Sequence, residues 1–396
     1  MSRTIKETPS VLEASLLTGA QAAAHAMRQI NPDVVSVYPI TPQTPIIQTF
    51  SKFVADGKAT TEMINVESEH SAMSAAIGSA SAGARTATAT ASQGLALMIE
   101  NIYIAASMRL PITLAIGNRA LSAPINIHCD HSDSMLARDS GVIQIYVENA
   151  QEAYDYMVMA PKIAEHEDVL LPVMVCQDGF TITHTAENVS MLGDGEVRDF
   201  VGEYHIPYSL LDLNRPTTQG PFDMPDYYFE HKRQQQEAME KVPAVLKTVQ
   251  DEFYELSGRL YSSIEPYKIE DADYGIVILG STAGTVKEVV DNLRDDGKKV
   301  GVLKIRSFRP FEEEKIRYHL SRLKGIAVLD RSMSFGSYGP LFTEISRCLY
   351  DTEPVLRNYI YGLGGRDLFP DQIEDVYKKL IAGDTSKATE YIGLRE

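Results

Sequence analysis

Three side chains in the first third of the chain have the types and settings that acid–base and anion chemistry require. Glu69 stands with Glu67 at the head of a run nearly free of large side chains. From Ser71 to Gly94, 20 of 24 positions are Ala, Gly, Ser or Thr, and the others are Met73, Ile77, Arg85 and Gln93. Gly and Ser lower helix propensity, so propensity does not explain the run. Small side chains do let a helix and the next strand approach other backbones or a ligand closely. A carboxylate at the start of such a helix gains from the helix dipole, although on their own Glu67 and Glu69 read as ordinary first-turn acids. Arg119 follows an apolar strand and is flanked by apolar sequence on both sides. Burying it unpaired would be expensive, and a carboxylate is its natural bidentate partner. Thr41 lies in the Pro-rich turn YPITP, where a hydroxyl ordinarily bonds its own backbone.

Other chemistry-bearing residues read less specifically. His128 and His131, with Asp130 and Asp133, invite a metal reading. The two histidines lack a helix or a third ligand, so they read as hydrogen-bonding residues of the loop Leu121–Asp133. Gly280–Gly284 (GSTAG) follows a strand and opens a helix, but it is not G-x-G-x-x-G and reads as a tight strand–helix turn. Arg109 reads as structural. Cys129, Cys176 and Cys348 form no CxxC, which excludes a four-thiolate cluster within the chain and fits a reducing compartment.

The elements that must position these residues follow from the hydrophobic pattern. Gly19–Ile30 is Ala-rich and helix-like, stopping at Asn31-Pro32. Val34–Tyr38 reads as a buried parallel strand, and Pro39–Pro45 as a stiff loop at its C-terminal end, the edge where open α/β sheets bind ligands. Strand-like runs follow at Met63–Val66, Thr86–Thr90, Ile112–Ile116, Ile143–Val147 and Leu170–Cys176. Helical segments fall near His70–Ala84, Leu95–Met108 and Gln151–Glu165. This alternation predicts βαβ units and a doubly wound first domain. From about Asp178 to Met224 the periodicity fades into a long connection, and Tyr227–Ser257 reads as one or two exposed helices joining domains. A second, smaller alternation begins at Tyr274–Leu279.

At 396 residues two or three domains are expected. Hydrophobic content of 44% and charged content of 23% belong to a globular protein. The net charge of −17, from 37 basic and 54 acidic residues, argues against a nucleic-acid or anionic-membrane partner. Arg85, Glu100 and Arg109 interrupt the most apolar stretches, and the opening MSRTIKETPSVLEAS has no signal pattern, so a soluble, cytoplasmic protein is expected.

YPITPQTP (Tyr38–Pro45), VESEHSA (Val66–Ala72), TATASQG (Thr88–Gly94) and GNRALSAPINI (Gly117–Ile127) occur in that order, and GLGGRD (Gly362–Asp367) completes the set. In order and wording the chain resembles the alpha subunit of the 2-oxoacid:ferredoxin oxidoreductases, most closely that of pyruvate:ferredoxin oxidoreductase. The resemblance covers nearly the whole length. It implies two doubly wound α/β domains of the thiamine-diphosphate-enzyme (transketolase-like) type. A pyrimidine-binding domain would span residues 1–225, a helical linker 226–265 and a transketolase C-terminal-like domain 266–396. It assigns to Glu69, not Glu67, a proton shared with N1′ of the thiamine diphosphate aminopyrimidine, which favours the imino form that deprotonates the thiazolium. It brings Thr41 to the carbonyl or carboxylate oxygen of the substrate and gives Arg119 the 2-oxoacid carboxylate. A threonine rather than an arginine at position 41 suits a mono-anionic acid.

The reaction implied is oxidative decarboxylation of pyruvate with coenzyme A to acetyl-CoA and carbon dioxide, with electrons passed to ferredoxin, and its reverse. The sequence shows neither cluster ligands nor a GDG-type magnesium–diphosphate motif. The resemblance therefore puts Mg2+, the diphosphate and Fe4S4 clusters on partner chains (beta, gamma and a ferredoxin-like delta), with Glu69 completing a shared site. GLGGRD would be a turn at a subunit contact. His128 and Cys129 depart from the GDHQD- or NDQQD-like wording of similar chains. Two rivals stand beside this reading: the same chemistry on a branched-chain acid such as 2-oxoisovalerate, and a non-catalytic scaffold chain.

Overall fold

β-Branched runs without polar alternation become strands covered on both faces, and the helices between them supply the cover. A computed structural model describes residues 14–384 and 389–395; most of the N-terminal stretch considered above for a signal lies outside the described residues. The first part of the chain runs β1 (Ala14–Thr18), α1 (Gly19–Ile30), β2 (Val34–Val37), α2 (Thr44–Ala55), β3 (Glu62–Asn65), α3 (Glu69–Ala82), β4 (Thr86–Thr90) and α4 (Ser92–Ser107). It continues with β5 (Ile112–Asn118), α5 (Ser132–Leu136), β6 (Ile143–Tyr146), α6 (Ala150–Ala164), β7 (Val173–Asp178), β8 (Ala186–Ser190), α7 (Asp194–Val201) and α8 (Tyr228–Ser257). Then come β9 (Ile264–Tyr267), β10 (Tyr274–Ile278), α9 (Thr282–Asp295), β11 (Val300–Ile305), β12 (Ser307–Arg309) and α10 (Glu313–Leu320). The last elements are β13 (Gly325–Asp330), α11 (Pro340–Cys348), β14 (Val355–Ile360), α12 (Pro370–Ala382) and β15 (Thr389–Tyr391).

Seven strands form one sheet in the order β12-β6-β7-β5-β4-β2-β3, parallel throughout except for β12. Six form a second, β15-β14-β13-β10-β11-β9, antiparallel only at β9. β1 and β8 make a separate antiparallel ribbon. Strand order reverses between β2 and β4 in the larger sheet and between β10 and β13 in the smaller. Such switch points are where doubly wound folds open a crevice.

Four features differ from the sequence reading. Pro45 lies in the first turn of α2, where a missing N–H costs nothing, so the stiff loop is shorter than expected and a helix follows it. The long connection holds β8 and α7, which were not anticipated. Tyr228–Ser257 is one helix of 30 residues, and from Ala238 onward one of its faces is buried rather than exposed. Ala238, Val242, Leu246, Val249 and Phe253 are buried in the same apolar cluster as α1 and α6. Finally, β12 leaves the second part of the chain to pair with β6 of the larger sheet, so the two sheets interlock. A continuous apolar cluster runs from Met174 and Tyr146 to Leu303, Val328 and Leu341. Among the described residues no helix is long and apolar enough to cross a membrane.

Beside that cluster lies a compact set of charges. Lys304, fully buried, donates to Glu148 at 2.5 Å and Glu152 at 2.7 Å; Arg306 donates to Glu152 at 2.8 Å and Glu265 at 2.6 Å. Lys287 bridges Glu148 at 2.9 Å and Glu265 at 2.6 Å. Three carboxylates thus meet three cations. Burial pushes the Glu152 and Glu265 carboxyls up, but Arg306 and Lys304 outweigh it and hold both at about 2.

Candidate functional site

The loops at the C-terminal ends of β2, β3, β4 and β5 bring Thr41, Glu69, Gln93 and Arg119 to one edge of the larger sheet, around its switch point. α3 reaches that edge because it lies close against the sheet. Its buried positions, Glu69, Ala72, Met73, Ala76, Ala80 and Ser81, recur at helical spacing and are mostly small. Beneath it Ser36 Oγ donates to Ala72 O at 2.7 Å, and Thr88 Oγ1 donates to Ser36 O at 2.7 Å. Ser36 and Thr88 are thus satisfied without holding the backbones apart. Ser68 caps the helix, accepting from Ser71 N, and Gly83 ends it with a φ of +107°.

Glu69 is the first residue of α3 and is 7% exposed. Its carboxylate lies against Gly94 in the first turn of α4. A Cβ on Gly94 would sit 2.6 Å from Glu69 Oε1 and 2.4 Å from Thr90 Oγ1, so only glycine leaves room. Thr90 Oγ1 is buried without a hydrogen-bond partner, and among the described residues no donor reaches the Glu69 carboxylate. Glu67, by contrast, is exposed and accepts from Ser71 Oγ, which holds its carboxyl below the usual range.

Arg119, also 7% exposed, donates from Nε to Asn126 O at 2.9 Å, from NH1 to Thr41 O at 2.9 Å and from NH2 to Gln93 Oε1 at 3.4 Å. All three acceptors are neutral, and among the described residues no carboxylate pairs with the guanidinium. Of its five N–H donors, two remain for a ligand. Arg119 therefore fastens the Thr41 turn, and the Thr41 side chain stays exposed. Pro42 braces the same turn. A Cβ on Gly179 would lie 2.8 Å from Pro42 Cγ, and one on Gly117 3.4 Å from it.

The sequence singled out Asp133 only as part of a histidine–aspartate run. In the structure it ties the site together. Its fully buried carboxylate accepts from Ser92 N at 2.8 Å, Asn118 Nδ2 at 2.8 Å, Arg119 N at 3.0 Å and Ser134 N at 2.7 Å. Burial pushes its carboxyl up to about 6 against the pull of those donors. Ser92, with a φ of 49°, starts the turn that presents Gln93 and Gly94. Its hydroxyl lies 2.7 Å from both Gln93 Oε1 and Ala120 O and gives its one proton to either. Asp133, Gln93, Gly94 and Asn126 are the site residues that sequence reasoning missed. The small-residue run ending in Gln93-Gly94 was the available signal for two of them.

Elsewhere the loop is structural. His131 Nε2 meets Asp178 Oδ1 at 2.7 Å, and Arg331 and Ser281 donate to Asp178 Oδ2 at 2.9 and 2.6 Å. Burial raises the Asp178 carboxyl, but His131 and Arg331 outweigh it and leave it well below the usual range. Cys129, His131 and Asp178 have metal-like spacing, yet the guanidinium of Arg331 already neutralises Asp178. His128 is exposed, and Asp130 accepts from Ser132. Arg109 bonds Val169 O at 2.6 Å, away from the strand ends that carry the site. The letters G-D-G do occur at Gly193–Gly195, but Asp194 is held there by Arg28 through two bonds of 2.7 Å. GLGGRD, expected at a subunit contact, packs against the loop Leu121–Asp133 of its own chain.

An acid with no donor and a buried guanidinium with no counter-ion among the described residues, beside a cradle that tolerates only glycine, fit a cofactor with a basic ring nitrogen and an anionic substrate. The two doubly wound sheets are of the transketolase-like class of thiamine-diphosphate enzymes. In the same class, a solved split-gene transketolase, described as an inactive beta4 tetramer, superposes over 93% of this chain and 99% of its own with a TM-score of 0.54 at 14% identity. A solved 2-oxoglutarate:ferredoxin oxidoreductase from Magnetococcus marinus gives a TM-score of 0.76 at 20% identity; this chain spans 65% of that one.

Family models narrow the class. Residues 25–251 match "Pyruvate flavodoxin/ferredoxin oxidoreductase, thiamine diP-bdg", and residues 272–373 match "Pyruvate:ferredoxin oxidoreductase core domain II". The pyruvate synthase subunit PorA of Thermotoga maritima is 55% identical over 98% of this chain and 99% of its own. That of Methanocaldococcus jannaschii is 48% identical over 98% and 100%. The ketoisovalerate oxidoreductase subunit VorA of Pyrococcus horikoshii is 44% identical over 96% and 98%. The chain belongs to the alpha-subunit family of the pyruvate:ferredoxin oxidoreductases.

Proposed function

We propose that this chain supplies the pyrimidine-facing acid and the 2-oxoacid anchor of a pyruvate:ferredoxin oxidoreductase. The observation that carries the reading is the opposite pair left open at one sheet edge: among the described residues Glu69 has no donor and Arg119 no carboxylate. Thiamine diphosphate, when bound, supplies the carbon nucleophile and the electron sink for decarboxylation. Glu69 holds a proton at the aminopyrimidine N1′, and the small-residue wall of α3 keeps water from it. Arg119 takes the pyruvate carboxylate through its two remaining N–H donors, and Thr41 Oγ1 orients the neighbouring oxygen. Because Arg119 is held on three neutral acceptors, its fork is aimed before the substrate arrives while its charge is left for the substrate.

In this reading Mg2+, the diphosphate and the Fe4S4 clusters belong to beta, gamma and ferredoxin-like delta chains, coenzyme A and ferredoxin complete the reaction, and the complex is cytoplasmic. The division of the chain at about residues 225 and 265 is part of the same proposal; sheet membership supports it, and the strand exchange at β12 softens it. The test is turnover of the assembled complex with pyruvate and 2-oxoisovalerate in competition, in the native protein and in Glu69→Ala. Pyruvate should be preferred, and Glu69→Ala should lower kcat by about a hundredfold or more. Near-normal turnover of the variant would remove the role of the glutamate, and preference for the branched acid would replace the substrate.

A further inference from the structure

The loop that steadies Arg119 is held from its other side by the second sheet. Toward the site, Arg119 Nε donates to Asn126 O at 2.9 Å and Ala120 N donates to His128 O at 3.0 Å. Away from it, Asn126 Nδ2 donates to Gly364 O at 2.9 Å, and Gly365 N donates to Cys129 O at 2.7 Å. Gly364 N reaches Asp130 Oδ2 at 3.3 Å, and His131 N donates to Arg331 O at 2.8 Å. The loop is therefore a strap with Arg119 on one face and the turn after β14 on the other.

The turn is shaped for this contact. Gly364 and Gly365 have φ of +60° and +80°, where a side chain is strained. They meet a second, independent demand. A Cβ on Gly364 would lie 2.3 Å from Asn126 Nδ2, and one on Gly365 would lie 2.3 Å from His128 Cβ. A turn that merely joined β14 to α12 would need the backbone freedom and not the closeness. At the other end of the chain of contacts, the backbone carbonyl of Asn126 fixes the direction of the guanidinium fork without cancelling its charge. Aim matters because a displacement of about 1 Å in a binding group can cost on the order of a hundredfold in rate.

We infer that Asn126 and the Gly364–Gly365 turn are positioning residues for Arg119, so that the second sheet sets the affinity for the 2-oxoacid without touching it. The inference rests on the reading of Arg119 as the carboxylate anchor, and the test separates the two. The assembled complex is prepared with Asn126→Ser, Gly364→Ala, Arg119→Ala and the Arg119→Ala/Gly364→Ala double variant. Asn126→Ser removes the bond to Gly364 O, adds no atoms and keeps the carbonyl that accepts from Arg119, so it guards against a mere folding failure of the alanine variant.

Both single variants at the strap should raise the KM for pyruvate by about fivefold to tenfold, with kcat within about twofold of native. In the Arg119→Ala background, Gly364→Ala should add less than about twofold, because its effect runs through a side chain that is gone. Equal effects in both backgrounds would overturn the inference, as would an unchanged KM in the two strap variants. A KM left unmoved by Arg119→Ala alone would overturn the anchor and the inference together. A raised KM in Arg119→Ala with native KM in Asn126→Ser and Gly364→Ala would overturn the inference and leave the anchor standing.

Discussion

Two buried charged regions of this protein are built on opposite rules. Between the sheets, Lys287, Lys304 and Arg306 face Glu148, Glu152 and Glu265, each cation within hydrogen-bond reach of two carboxylates or more. At the edge of the larger sheet, Glu69 has no donor and Arg119 has only neutral acceptors among the described residues. The first arrangement is closed and the second is open. Desolvating a charge without a counter-charge is costly, so evolution retains it where a ligand completes the pair. Burial alone does not separate the two regions; the presence or absence of an internal partner does.

Breaking the closed set should have the largest effect on the fold. Lys304→Met leaves three carboxylates facing two cations in a dry setting, and should cost about 3–5 kcal/mol, read as a lowered thermal or denaturant midpoint of the complex. Breaking the open set should spare the fold and stop the chemistry. Glu69→Ala should leave the midpoint within about 0.5 kcal/mol of native while kcat falls about a hundredfold or more, since the carboxylate satisfies no donor among the described residues. A Glu69→Ala protein that is as unstable as Lys304→Met would erase the contrast.

A smaller effect sharpens it. Gly94→Ala drives a methyl group onto Glu69 Oε1 and Thr90 Oγ1, and should lower affinity for thiamine diphosphate by about tenfold, measured by titration of the apo complex.

The smallest effect is a difference of sign with pH. Glu152 and Glu265 are held at about 2, below their unfolded value, so their contribution is present above about pH 4.5 and is lost as the pH falls toward 2. Asp133 is pushed up to about 6, so its contribution runs the other way, being largest below the unfolded value near 4 and declining as the pH rises to about 6. Stability profiles of Glu152→Gln and Asp133→Asn against native should therefore diverge in opposite directions across pH 2–6. Parallel profiles would show that one of the two carboxyls is not where this account puts it.

The alternation of β4, α4 and β5 was legible because each element has a single period and a single burial pattern along its length. The same holds for β10, α9 and β11 in the second sheet. The start of α2 was hidden by Pro45, which with Pro39 and Pro42 marks a loop in the sequence but occupies a tolerant first turn in space. α8 was misread as exposed because its charged first half dominates, whereas Val242, Leu246, Val249 and Phe253 supply the buried stripe further on. β12 is three residues long and owes its pairing to β6, more than 150 positions away, which no local pattern encodes. At the site, Glu69, Thr41 and Arg119 could be named from motifs, and the structure gathers them at one edge. Asp133, Gln93, Gly94 and Asn126 act through contacts that exist only once the strand ends converge.

The most direct measurement is a density map of the assembled complex with thiamine diphosphate and pyruvate bound. The account predicts the Glu69 carboxylate within hydrogen-bond distance of the aminopyrimidine ring and the Arg119 fork on the pyruvate carboxylate, with Thr41 beside it. A map in which a carboxylate from a partner chain pairs with Arg119, and a partner donor pairs with Glu69, would contradict it, because the open edge would then be an ordinary closed interface.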